Sequence, residues 1–232
     1  KTAFVNSIYL MAWNETQKRT LSGAAYALVV LVVVTRGAQP FMVFSAVASF
    51  YTAREIGRMK ALSWVSRLVL MAYAVGGFYL GLYWAIGGQP NVSDGSEGYL
   101  WERIGVPFFL IWASDSFAYV GGRWLGKTPL APQISPKKTW EGAAFGAAGT
   151  ALTALVFGHY WPQWSGSWPS WVLGLMVAVA APVGDLLESY AKRKAGIKDS
   201  GVFLPGHGGW FDRLDSYLLV GWVLGCLGWL QQ

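Results

Sequence analysis

Two polar segments hold most of the side chains able to do chemistry. The later one runs from Gly184 to Asp215, with Asp185, Glu188, Asp212 and Asp215 flanking a basic stretch that holds Lys192, Arg193, Lys198 and a fifth carboxylate, Asp199. Residues three apart are neighbours on a helix, so Asp185 and Glu188 would share one face, as would Asp212 and Asp215. Asp212 and Asp215 can also be read as caps at the start of a final helix. Asp185 ends a helical run, where the macrodipole disfavours a negative charge, so capping does not account for it. Oxygen-only ligands suit a hard cation such as Mg²⁺ or Mn²⁺. Gly206, Gly208 and Gly209 surround His207, and turns of this kind let backbone N–H groups approach a phosphate.

The earlier segment runs from Asp115 to Gly142. Its Ser135-Pro-Lys137-Lys138-Thr139 stretch is expected to open a helix, where hydroxyls, ammonium groups and the helix dipole together favour a phosphate. The same stretch also reads as a capped helix start with snorkelling lysines. Asp115 lies within an apolar run, and a carboxylate in such a place suggests function. A carboxylate-rich loop facing a basic, hydroxyl-rich loop is the outline of a phosphoryl- or nucleotidyl-transfer site.

Long apolar elements must position these segments. Of 232 residues, 54% are hydrophobic and 13% charged, against roughly 25% charged in soluble domains. Seven runs approach the roughly 20 residues needed to cross the hydrocarbon core. They span about 20–35, 38–53, 66–87, 104–122, 142–160, 169–187 and 215–231. The expected fold is therefore all-α, a polytopic membrane bundle of about seven helices forming a single domain over 20–232. Residues 1–19 are expected to be an interfacial segment or a remnant foreign to the domain, with no signal peptide. The single cysteine, Cys226, excludes a disulfide framework or thiolate zinc cluster within one chain.

Alternating the seven spans puts the N-terminus and the loops near 54–65, 123–141 and 188–214 on one side. With Arg67, that side holds sixteen of the eighteen Lys and Arg, and only Arg36 and Arg103 fall opposite. The positive-inside rule assigns the charged side to the cytoplasm. Attraction to anionic headgroups accounts for Lys18, Arg19, Arg54, Arg58 and Lys60. It does not account for the two chemistry-bearing loops, and the hairpin of the fifth and sixth spans would bring those loops to one face.

These segments resemble the phosphatidate cytidylyltransferase (CDP-diacylglycerol synthase) family. One family signature is matched by Ser189, Lys192, Arg193, Lys198, Asp199, His207, Gly208, Gly209, Asp212, Arg213 and Asp215, with Gly184-Asp185 and Glu188 just before it. A second block matches from Asp115 through Ser135-Pro-Lys-Lys-Thr to Gly142. The resemblance covers roughly residues 110–225, and the N-terminal half looks shorter than in typical bacterial members. It implies cytidylyl transfer from CTP to phosphatidate at the bacterial inner membrane. Asp185, Asp212 and Asp215 would hold Mg²⁺ or Mn²⁺, with a second cation as an option. Lys137 and Lys198 would act with them in catalysis. Asp115, Ser135, Lys138, Thr139, Lys192, Arg193, Asp199, His207, Gly208, Gly209 and Arg213 would bind substrate. Membrane lipids and a second copy of the chain are the other partners considered, and nucleic acid is not expected.

Other readings make different demands. A cytidylyltransferase acting on an ether or archaeal-type lipid phosphate would use the same polar residues. A non-enzymatic transporter would spread charges through span centres, whereas here they collect at one face with only Asp115 deeper. The paired-Asp motif of CDP-alcohol phosphotransferases and the Walker phosphate loop are both absent from the sequence.

Overall fold

A computed structural model of the chain describes residues 15–86, 97–203 and 208–230. The described residues form seven α-helices: α1 Glu15–Thr35, α2 Ala38–Arg58, α3 Trp64–Ala85, α4 Glu97–Leu125, α5 Trp140–Tyr160, α6 Ser170–Lys194 and α7 Phe211–Trp229. Four of them, α3 to α6, contain stretches long and apolar enough to cross a membrane. The chain is an all-α membrane protein with the helix number expected from its hydropathy. Of the expected domain boundary, residues 1–14 lie outside the described residues, while 15–19 already form the first turns of α1.

Local chemistry sets the helix ends. Gly37, at φ 93°, turns the chain between α1 and α2 in a conformation that side-chain-bearing residues rarely adopt. The Ser63 hydroxyl caps α3 by accepting from the Ser66 N–H at 3.1 Å. A 3₁₀ turn over Pro162–Ser165 joins α5 to α6 at the end of the bundle away from the polar loops. There Trp101 of α4 meets Trp161 edge to face, with ring centroids 5.2 Å apart.

Packing runs through small residues, because helices in a bilayer gain most from close van der Waals approach. Gly77 of α3 lies against the backbone of Leu218, and Gly221 of α7 lies against the backbone of Gly77. Buried Phe78, Leu173, Val177, Leu214 and Leu218 fill the interior. Leu28, Val43, Phe50, Val69, Leu152 and Val179 are exposed on the outside. An apolar outer surface over a packed interior is what lipid contact requires.

One segment departs from the helical expectation. Ser135–Thr139 is not the first turn of a helix but a β-strand, β2, paired antiparallel with β1 (Pro129–Ala131). Pro136 holds Ser135 in an extended conformation and cannot donate a helical hydrogen bond. The helix begins one residue beyond the strand, where the Thr139 hydroxyl accepts from the Gly142 N–H at 3.1 Å. Glu141 then accepts from the N–H groups of Lys127 and Thr128 at 3.2 Å, fastening the hairpin to the start of α5.

Candidate active site

The C-terminal ends of α4 and α6, the β-hairpin and the N-terminal end of α7 converge at one end of the bundle. Asp185 and Glu188 occupy the last turns of α6, and Asp215 the second turn of α7. One carboxylate oxygen from each of the three lies within 4.8 Å of the others. Glu188 is 1% exposed. Its Oε2 is 2.8 Å from Lys192 Nζ, while Oε1 has no hydrogen-bond partner among the described residues. Three carboxylates this close repel one another unless a positive charge stands among them.

Asp212 is held differently from Asp215. Its Oδ1 is 2.6 Å from Lys192 Nζ. Its Oδ2 accepts from the N–H groups of Ser200 at 2.8 Å and Gly209 at 2.7 Å. All three expected ligands, Asp185, Asp212 and Asp215, border one cavity, while the tightest carboxylate group among the described residues contains Glu188 in place of Asp212. Glu188 stands with Asp185 and Asp215, and Asp212 is turned toward the ammonium of Lys192 and the loop N–H groups. The buried ammonium bridges Glu188 and Asp212 and so balances charge beside the cluster.

The hairpin meets the cluster through Lys138, whose ammonium pairs with Asp185 Oδ2. Asp185 Oδ1 also accepts from the Ser189 hydroxyl at 3.2 Å. On one side lies a cavity of about 430 Å³, bounded by Asp115, Asp185, Asp212, Arg213 and Asp215 and closed by apolar residues of α1 and α4. On the other lies a cavity of about 600 Å³ bounded by Asp115, Arg123, Ser135, Lys137, Lys138 and Thr139. Asp115 borders both, so Lys137 and Lys138 of the hairpin lie at the same end of the bundle as the carboxylates.

Other residues singled out in the sequence lie elsewhere. Arg193 donates to the Ile197 carbonyl at 3.1 Å and borders a separate groove with Tyr190 and Lys194. Lys198 and Asp199 are exposed on the turn after α6 and line neither of the two cavities. His207 lies outside the described residues. Gly208 has φ +82°, and a side chain there would run into the Asp212 carboxylate. Gly209 serves the site through its N–H.

Two participants, Ser200 and Glu55, escaped the sequence reading, and a third, Glu188, was left out of the expected ligand set. Glu188 shares a face with Asp185 by its spacing, which was signal enough to add it to the ligand candidates. Ser200 lies inside the polar loop without a distinguishing pattern. Glu55 stands 145 positions before Ser200, beyond the reach of any local signal.

A sequence profile described as the cytidylyltransferase family matches residues 89–230, more than half of the chain. The chain belongs to the cytidylyltransferase family. Among its relatives, this cytidylyltransferase-family chain is 48% identical over 117 residues to a phosphatidate cytidylyltransferase of Synechocystis sp., covering 50% of this chain and 39% of that protein. It is 35% identical over 205 residues to phosphatidate cytidylyltransferase 4, chloroplastic, of Arabidopsis thaliana, covering 87% of this chain and 50% of that protein. It is 34% identical over 224 residues to a phosphatidate cytidylyltransferase of Brucella abortus, covering 94% and 77%. The chain thus spans half or less of the length of the first two relatives, and about three quarters of the third.

Proposed function

We propose that this family member transfers a cytidylyl group from CTP to the phosphate of phosphatidate, releasing pyrophosphate and leaving CDP-diacylglycerol in the membrane. One observation carries the reading: a carboxylate trio, Asp185, Glu188 and Asp215, adjoins the lysine-bearing hairpin between two cavities at one end of a membrane bundle. The names of the relatives support the choice of reactants.

In the proposed step a phosphatidate oxygen attacks the α-phosphorus of CTP. A new P–O bond forms as the bond to the β-phosphate oxygen breaks, and that oxygen leaves with the electron pair as pyrophosphate. No protein nucleophile is required, because a phosphate oxyanion is already competent. The work left to the protein is to position reactants and balance charge.

The oxygen-only donors of Asp185, Glu188 and Asp215 fit Mg²⁺ or Mn²⁺, and the unpartnered Oε1 of Glu188 is a free ligand atom. Such a cation supplies Lewis-acid polarisation and neutralises charge building on the leaving phosphates. Lys137, Lys138 and Arg123 present positive charge to the larger cavity, and Arg213 to the smaller. Ser135 offers its hydroxyl, and so does Thr139, whose oxygen already accepts from Gly142 N–H and whose proton is free to donate. Lys192 keeps Asp212 ion-paired. Asp212 in turn holds the loop before α7 in place through the N–H groups of Ser200 and Gly209.

The distribution of Lys and Arg favours the cytoplasmic face of the membrane for the site, and bacterial relatives such as that of Brucella abortus support a bacterial inner membrane. The test is pyrophosphate release from CTP by the purified protein in mixed micelles. Release that depends on both phosphatidate and Mg²⁺ is the expected result. Release independent of the lipid, or none under any divalent cation, would overturn the proposal.

A further inference from the structure

Glu55 is a buried carboxylate at the C-terminal end of α2, 7% exposed and outside the residues matched by the family profile. Among the described residues, its hydrogen-bonding partners all lie at or before the start of α7 in the stretch that follows α6. Oε1 accepts from the Trp210 N–H at 3.0 Å. Oε2 accepts from the Phe211 N–H at 3.0 Å and from the Ser200 hydroxyl at 2.7 Å. The first N–H groups of a helix have no partner within it, and here a carboxylate from another helix supplies one. The Ser200 oxygen also lies 3.0 Å from Asp212 Oδ2, so its single proton is shared between two carboxylates.

The surroundings are shaped to admit this carboxylate. A Cβ on Gly201 would stand 2.6 Å from Glu55 Oε1, and one on Gly209 would meet both Glu55 oxygens and the Ser200 hydroxyl. Trp210 stacks on Tyr51 of α2, one turn before Glu55, with ring centroids 5.9 Å apart and planes 12° from parallel. The end of α2 and the start of α7 are thus joined by charge, backbone and ring contacts at one spot.

We infer that Glu55 is a positioning residue, clamping Ser200 and the Trp210–Phe211 start of α7 so that Asp212 and Asp215 enter α7 in register with the carboxylates of α6. Glu55 does not touch the cavities around the carboxylates, so it acts through the segment it holds. Removing this buried charge would leave the Trp210 and Phe211 N–H groups unpaired, a cost that falls on the start of α7, while the Ser200 hydroxyl would keep Asp212 as its acceptor. The inference rests on the proposed cytidylyl transfer for its kinetic readout and on backbone exchange for an independent one.

Two variants test it in the full chain in detergent. Glu55→Gln keeps the shape but sets an amide donor against backbone donors. Gly201→Ala keeps Glu55 and pushes its carboxylate aside with one methyl. Both should lower kcat by about tenfold and leave KM for CTP near that of the parent protein, with the melting temperature lowered by no more than about 5 °C. Both should also speed hydrogen exchange at the amides of Ser200, Trp210 and Phe211 while sparing those of α3. Parental kcat and parental exchange in both variants would overturn the clamp. A fall in kcat matched by global loss of thermal stability would overturn it too, since it would mark Glu55 as merely structural. If the parent protein makes no CDP-diacylglycerol, the exchange comparison still decides the clamp while the proposed activity fails alone.

Discussion

Asp215 and Asp212 sit three residues apart on the same helix and have different surroundings. Asp215 joins Asp185 and Glu188, whereas Asp212 is enclosed by an ammonium and two backbone N–H groups. Their neutral variants should therefore differ. Asp215→Asn is expected to lower turnover by more than about 100-fold, above the range for loss of an outer-sphere partner, with the protein still folded. Glu188→Gln should raise the Mg²⁺ concentration for half-maximal rate by about tenfold. A magnesium titration of both variants checks this pair, and unchanged metal response in both would remove the ion from these residues. The sequence showed that Asp185 and Glu188 share a face, because a helix repeats every three to four residues. It could not show which face of α7 would turn toward them, because that depends on how α7 is rotated against α3 and α6.

Elements were legible where the bilayer dictates their length, and less so where pairing is remote. All seven apolar runs became helices, but α4 begins at Glu97 and α7 at Phe211, several residues before the apolar runs do. Polar turns at a membrane surface carry no hydropathy signal. The Ser135–Thr139 strand was misread because its composition also suits a helix cap, and its partner at 129–131 declares itself only once the chain has folded back. The approach of α6 to α7 decides the site. Gly184 lies with its Cα facing the Asp215 carbonyl, and an added Cβ would stand 2.8 Å from that oxygen and 3.2 Å from Leu219. Gly184→Val should cost about 1–3 kcal/mol through overpacking and separate Asp185 from Asp215. A lowered melting temperature with loss of turnover is the expected result, and a fully active, equally stable variant would contradict this packing.

For the whole molecule, the arrangement predicts which residues face which compartment. Lys127 is exposed beside the hairpin, and Gln163 is exposed on the 3₁₀ turn at the opposite end. In a Cys226→Ser background, a cysteine at 163 should react with an impermeant maleimide on intact spheroplasts. One at 127 should react only after permeabilisation, and the reverse pattern would invert the proposed topology. Asp115 adds a consequence for ligands, since it forms part of the wall of both chambers. A single inhibitor long enough to reach from one chamber into the other must pass that carboxylate. Linking two phosphate mimics by an acidic bridge would set like charges together there, whereas an amine at the molecule's waist would find a counter-ion waiting.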